Sequence, residues 1–234
     1  MAGHLAMICA GGIQQQKRMA RRRGIELRAR LMLDCNSIRE LAAAIDSGAG
    51  TVVPAVVHPD RYGDVPAVPV VSWLREHGGY RRFTQNALVT LPDGITADRL
   101  TAVLQALLDR HDMLRAVDAE SGLRTREPGT VRAADVLRRV DTDPAEVAGA
   151  EAAAALDRID PTTGSMLQAV WFTGGEPILL LCIHHLATDV VSWYVILSEL
   201  ARIATELDAG REPALSAEYT TYRQWGQLLA ERAH

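Results

Sequence analysis

Two adjacent histidines, His184 and His185, stand just ahead of a carboxylate, Asp189, in the stretch His184-His185-Leu186-Ala187-Thr188-Asp189. An imidazole changes charge near neutral pH, so it can take a proton from a reacting group and pass it on. A neighbouring carboxylate can orient such a ring or answer its charge. Zinc chemistry fits less well, because adjacent histidines at a strand end diverge and no third ligand lies at metal-like spacing. Ser192 lacks the Gly-x-Ser-x-Gly elbow of a nucleophilic serine. The bland alternative is a pair of core histidines that happen to be neighbours.

The elements around the cluster place it. Ile178 to Ile183 is a continuous apolar run, which reads as a strand buried on both faces. After the cluster, Val191, Val195, Leu197, Leu200 and Ala201 recur at helical spacing and predict the buried stripe of a helix. A polar group between a buried strand and a helix is a common place for a ligand site in α/β folds.

The block from His184 to Asp189 resembles the His-His-x-x-x-Asp-Gly signature of condensation and epimerization domains of nonribosomal peptide synthetases, within the chloramphenicol-acetyltransferase-like superfamily. Val190 occupies the glycine position, and Val191-Ser192-Trp193 is most similar to the epimerization-type branch. Four further stretches are similar to family segments, in the family's order. They are Phe83-Thr84-Gln85 on a strand, Arg110-His111-Asp112-Met113-Leu114-Arg115, Asp160 to Gly164, and Tyr219 to Trp225. Trp73-Leu74 lies where the family has its opening helix.

The resemblance implies an α/β fold: one chloramphenicol-acetyltransferase-like lobe, a mixed sheet with packed helices, preceded by a short helical carrier-like segment. The family activity it implies is amide bond formation, or inversion at an α-carbon, on a thioester held by a carrier, in secondary-metabolite biosynthesis. The catalytic set is then His184, His185 and Asp189. His185 would be the base or positioning group and His184 a support for the loop. Asp189 would lie buried beneath the loop, paired with Arg115, and Trp193 would be a second structural support. No cofactor is bound directly; the phosphopantetheine arm comes with a partner carrier domain. A full domain has two lobes with the site between them, and this chain matches the first. The second lobe is therefore an implied partner, and the chain by itself is expected to be inactive. A non-catalytic remnant that docks a carrier is the competing reading. A stand-alone acyltransferase using coenzyme A is a weaker one.

Residues 70–234 carry this lobe. Phe83 to Val89 predicts a strand, with Thr96 as cap of the next helix. Leu100, Val103, Leu104, Leu107 and Leu108 form a helical stripe. Strands are expected over Leu114–Asp118 and Leu123–Glu127, joined as a hairpin. Asp143 and Pro144 open an alanine-rich helix running to Leu156. Met166 to Phe172 predicts the strand before the His-bearing one.

Residues 47–69, with Pro54, Pro59, Pro66 and Pro69, read as a semi-extended linker. Residues 1–46 resemble the second half of a peptidyl carrier domain, through Gly11-Gly12, Arg23 to Leu27 and Ser37 to Ala42. Ser37 and Glu40 have capping-box spacing. A carrier holds its arm on a serine just after the paired glycines. Here Ile13 follows Gly12 and the first serine is Ser37, so the segment reads as a truncated carrier that cannot be loaded.

The bulk properties agree with a globular chain. Hydrophobic residues make up 48% of 234, and the net charge is −4. Eight lysines and arginines face four acids in residues 1–46, but no aromatic residue interleaves them, so nucleic-acid binding is not expected. Cys9, Cys35 and Cys182 have neither metal nor disulfide spacing, and a cytoplasmic, reducing setting suits them. No apolar run is long enough for a membrane span, and the basic cluster follows the mildly apolar start rather than preceding it.

Overall fold

In the computed structural model the apolar run becomes the spine of a four-stranded sheet. The structure describes residues 35, 37–47, 61–213 and 220–233. The carrier-like readings on residues 1–34, most of the linker and Tyr219 lie outside the described residues. The chain divides into two units, Met1–Val56 and Val57–His234.

In the first unit the described helix is α1, Ile38–Asp46. Ser37 caps it as the sequence predicts, its hydroxyl accepting from the Glu40 N–H at 3.2 Å.

The second unit holds two sheets. A small antiparallel one is built from β1 (Gly63–Pro66), β3 (Val117–Ala119) and β4 (Gly122–Thr125), in the order β1-β4-β3. The expected hairpin is present as β3 and β4. The close fit of β1 against the hairpin explains Gly122. Its φ is +148°, and a Cβ there would sit 2.1 Å from the Val65 carbonyl oxygen. The helix α2 (Pro69–His77) follows β1. Residues 61–69 are thus not linker: Val65 and Val68 are buried, and Arg61 bonds Asp112. Proline in this stretch sits where it does no harm, Pro66 ending a strand and Pro69 starting a helix.

The larger sheet runs β2-β7-β6-β5, from β2 (Thr84–Thr90), β5 (Leu137–Val140), β6 (Leu167–Phe172) and β7 (Ile178–His184). Its β5–β6 pair is parallel and the other pairs are antiparallel, so the sheet is mixed as expected. All of β6 and all but the first residue of β7 are buried. On one face Leu179, Leu181 and Ile183 pack with α3 (Ala97–Arg110) and α6 (Val190–Asp208). On the other, Leu180 and Cys182 pack with α5 (Pro144–Arg158). Between them, α4 is the short helix Ala133–Val136. Thr96 and Asp143 cap α3 and α5 through their side chains, as predicted. The α3 stripe of Leu100, Val103, Leu104, Leu107 and Leu108 is wholly buried. Helix α7 (Tyr222–Arg232) starts on a capping box from Thr221 and Gln224.

Two expectations need correction. The buried stripe of α6 is Ile196, Leu200 and Ile203, with Trp193 and Leu207 packed against it, while Val191 and Ala201 are exposed. The stripe is rotated from the expected one because α6 is apolar on more than one side, and packing on α3 and the sheet selects the face. Residues Asp112–Arg115 form a 3₁₀ turn instead of entering a strand at Leu114. Positions i and i+3 eclipse in such a turn, and here this brings Asp112 and Arg115 within 3.1 Å.

Candidate active site

The sheet register decides what each histidine does. Thr84 pairs with His184, and the His185 N–H continues the ladder by donating to the Phe83 carbonyl at 2.8 Å. Neighbouring strand residues point to opposite faces, so the two rings diverge.

His184 is fully buried. Its Nδ1 accepts the Leu186 N–H at 3.1 Å, and its Nε2 lies 2.9 Å from the Tyr80 carbonyl oxygen. A backbone N–H can only donate, so the proton of this ring is on Nε2 and the ring is neutral. Burial holds His184 below the ordinary histidine range, against the raising effects of the Tyr80 carbonyl and Asp118. His184 is therefore the structural post of the loop.

His185 is partly exposed. Its ring stacks on Phe83, centroids 4.5 Å apart and planes 12° apart. Its Nε2 is 3.1 Å from Nε2 of Gln85. The carbonyl oxygen of the same Gln85 accepts the Trp193 indole N–H at 2.9 Å. Phe83 and Gln85, two apart on β2, share the face on which His185 lies. A flat ring held on one face and on one edge has a defined direction, which is what a base or positioning group requires.

Asp189 is placed differently from the expectation. It is exposed and is the N-cap of α6, accepting the Ser192 N–H at 2.7 Å and the Ser192 hydroxyl at 2.6 Å. A carboxylate is favourable there because free N–H groups and the helix dipole meet it. Arg115 is fully buried and spends its donors elsewhere: on Asp112 at 3.1 Å, on the Arg126 carbonyl at 3.1 Å, and on the Leu108 carbonyl. The Asp189–Arg115 pair is not formed. Asp112, three residues away along the turn, is the nearer acid and has captured the arginine, while Ser192 has captured Asp189.

The described residues thus bring together His184, His185 and Trp193, and add Gln85 and Tyr80. Arg115 and Asp189 are each engaged separately. A cavity of about 410 Å³ lies beside the first turns of α6, lined by Ser192, Val195, Ile196, His111, Tyr222 and Trp225 among others, but by neither histidine. Among the described residues no group of three or more His, Cys, Asp or Glu is placed to hold a metal ion. No helix among them is long and apolar enough to cross a membrane.

The profile of the Condensation domain family matches residues 76–234. The chain belongs to the condensation-domain family. Among curated relatives, it is 28% identical to a linear gramicidin synthase of Brevibacillus parabrevis over 244 aligned residues, 92% of this chain and 4% of that protein. Among solved structures it is similar to the epimerization domain from the third module of tyrocidine synthetase B, with TM-score 0.64 and 19% identity, covering 78% of this chain and 43% of that one. The starter condensation domain of rhizomide synthetase, as its R148A mutant, gives TM-score 0.58 at 19% identity, covering 74% and 44%. The chain therefore spans under half of these domains and a few per cent of the curated synthetase. The α/β condensation-domain fold expected from the residues is the fold observed.

Proposed function

We propose that this condensation-domain chain forms the first wall of a site acting on aminoacyl or peptidyl thioesters, the substrate being carried on the phosphopantetheine arm of a carrier domain. His185 takes a proton from the reacting N–H or Cα–H of that substrate, or holds it against the thioester carbonyl. The observation that carries this reading is the oriented, partly exposed ring of His185 at the end of the buried strand β7. His184, Trp193 and Arg115 support the wall, and Asp189 acts through the start of α6. A second lobe supplies the facing wall. In support, Phe83 is 46% exposed while stacked on His185, and Val190, Val191 and Tyr194 are exposed on the first turns of α6. Such apolar surface fits a contact. The carrier-like reading of residues 1–46 has the support that the gramicidin synthase alignment, at 92% of the chain, reaches into them.

The test joins this chain to a matched second lobe and offers it a carrier-bound peptidyl thioester. We expect turnover or inversion that is lost in His185→Ala, and none from the chain without the lobe. Undiminished turnover in His185→Ala would sink the reading. A second reading, a non-catalytic family member that docks a carrier, is favoured by Val190 at the glycine position and by the unformed Asp189–Arg115 pair. Carrier binding without any turnover in the joined protein would decide for it.

A further inference from the structure

Trp193, Gln85 and His185 form a directed chain of hydrogen bonds from α6 across β2 to the end of β7. An indole N–H is only a donor, so the Gln85 atom 2.9 Å from Trp193 Nε1 is the carbonyl oxygen. The amide is thereby fixed, and the group that Gln85 turns to His185 at 3.1 Å is its NH₂. Two donors cannot face each other, so Nε2 of His185 must accept, and the ring proton must sit on Nδ1. This is opposite to His184, whose Nδ1 accepts and whose Nε2 carries the proton.

We propose that Gln85 is a positioning residue for the reaction at His185. It keeps the Nε2 lone pair free of a proton and pointed along one direction, and it occupies the place that the substrate's reacting donor will take. A substrate N–H arriving at Nε2 replaces the amide N–H with an equivalent donor, so the ring need neither turn nor move its own proton first. Trp193 contributes by preventing the amide from turning over. Phe83 confines the ring to the plane in which this bond lies. The inference rests on the reading of His185 as the reacting group, but the placement of the proton can be read without any turnover.

The experiment labels the histidine ring nitrogens isotopically and records their correlations with ring protons at a pH where the ring is neutral. The His185 signals are assigned by their loss in His185→Ala. We expect Nδ1–H for His185 and Nε2–H for His184 in the same spectrum. Gln85→Glu puts a carboxylate oxygen where the NH₂ stood and should switch His185 to Nε2–H. Trp193→Phe frees the amide and should give a mixture of both forms, which provides an answer even if Gln85→Glu fails to fold. An Nε2–H ring in the unsubstituted protein, or one that Gln85→Glu leaves unchanged, overturns the inference. In the chain joined to a second lobe, Gln85→Leu should lower kcat about tenfold, the loss of one hydrogen bond's alignment, with little change in KM. No loss of kcat there would also overturn it. An unsubstituted joined protein that shows the expected proton placement yet never turns over counts against the proposed function, and leaves the role of Gln85 in orienting the ring supported.

Discussion

Replacing Arg115 by alanine separates two ways in which the lobe could be held together. Arg115 and Asp112 are 0% and 5% exposed, so their pair is shielded from water. Removing one member of a buried pair typically costs about 3–5 kcal/mol. Two features set the expected place in that range. Asp112 keeps Arg61, at 3.2 Å from Nε and 3.1 Å from Nη2, which lowers the loss. The carbonyls of Leu108 and Arg126 lose their donor in the interior, which raises it. A fall of roughly 3–4 kcal/mol follows, or about 6–16 °C in Tm at the 2–4 °C per kcal/mol of a chain this size. Asp189→Ala removes a helix cap at an exposed position, and such caps contribute about 1 kcal/mol, hence roughly 2–4 °C. Urea unfolding of both single variants and the double variant measures the coupling. Independent sites add to within about 0.5 kcal/mol. A larger coupling between positions 115 and 189, or an Asp189→Ala loss as deep as that of Arg115→Ala, would refute this account of the two charges.

Three further outcomes are expected. The folded His184 ring is held below its ordinary value, so on acidification the unfolded chain gains the proton first; the stability it provides is complete above about pH 6.5 and drains as pH falls below it. His184→Asn should be less stable at neutral pH and should lose less on going down, which pH-dependent urea titrations read. Gly122→Ala, at φ +148° with a Cβ against the Val65 oxygen, should destabilise by more than about 1 kcal/mol, and clearly more than Gly94→Ala, whose surroundings are open; equal melts would contradict the packing of β1 on the hairpin. Incubation with a phosphopantetheinyl transferase and coenzyme A should leave the intact mass unchanged, since no serine precedes Ser37 and Ser37 itself is a helix cap; a gain of one arm would show a loadable carrier.

Periodicity made the lobe's skeleton legible. The α3 stripe, the caps Thr96 and Asp143, and the buried strand β7 depend on neighbours within a turn or two along the chain. The site was legible to the same depth: the adjacent histidines were visible, and so was a period-two Phe83-x-Gln85 on a strand. What could not be read locally was which strand lies beside which. Gln85 and His185 are one hundred residues apart, and only the β2–β7 register makes them neighbours. The charges failed for a related reason. Asp189 had two possible partners, the family's arginine and the serine three residues on, and a local cap forms with little loss of chain freedom. Arg115 likewise found Asp112 within its own turn. Helix α6 was misread in its face, because apolar residues on several sides leave the choice to whatever packs there.

The adjacency of the two histidines carries a consequence for how such a loop can work. On a strand, consecutive side chains cannot share a face, so one ring of the pair is bound to enter the interior while its neighbour stays near the open end. The interior ring must be neutral and fully bonded, and His184 achieves this with one backbone donor and one backbone acceptor. Those two bonds tie the loop after β7 to the turn at Tyr80–Arg82, which immediately precedes Phe83. Phe83 supplies both the ladder carbonyl and the stacking surface for His185. The first histidine therefore fixes the segment against which the second is aligned, and a change at His184 would misplace His185 without touching it. Tautomers of opposite sense in the two rings are the chemical mark of that division: one proton is spent on holding the fold, and the other is kept off the nitrogen that must receive.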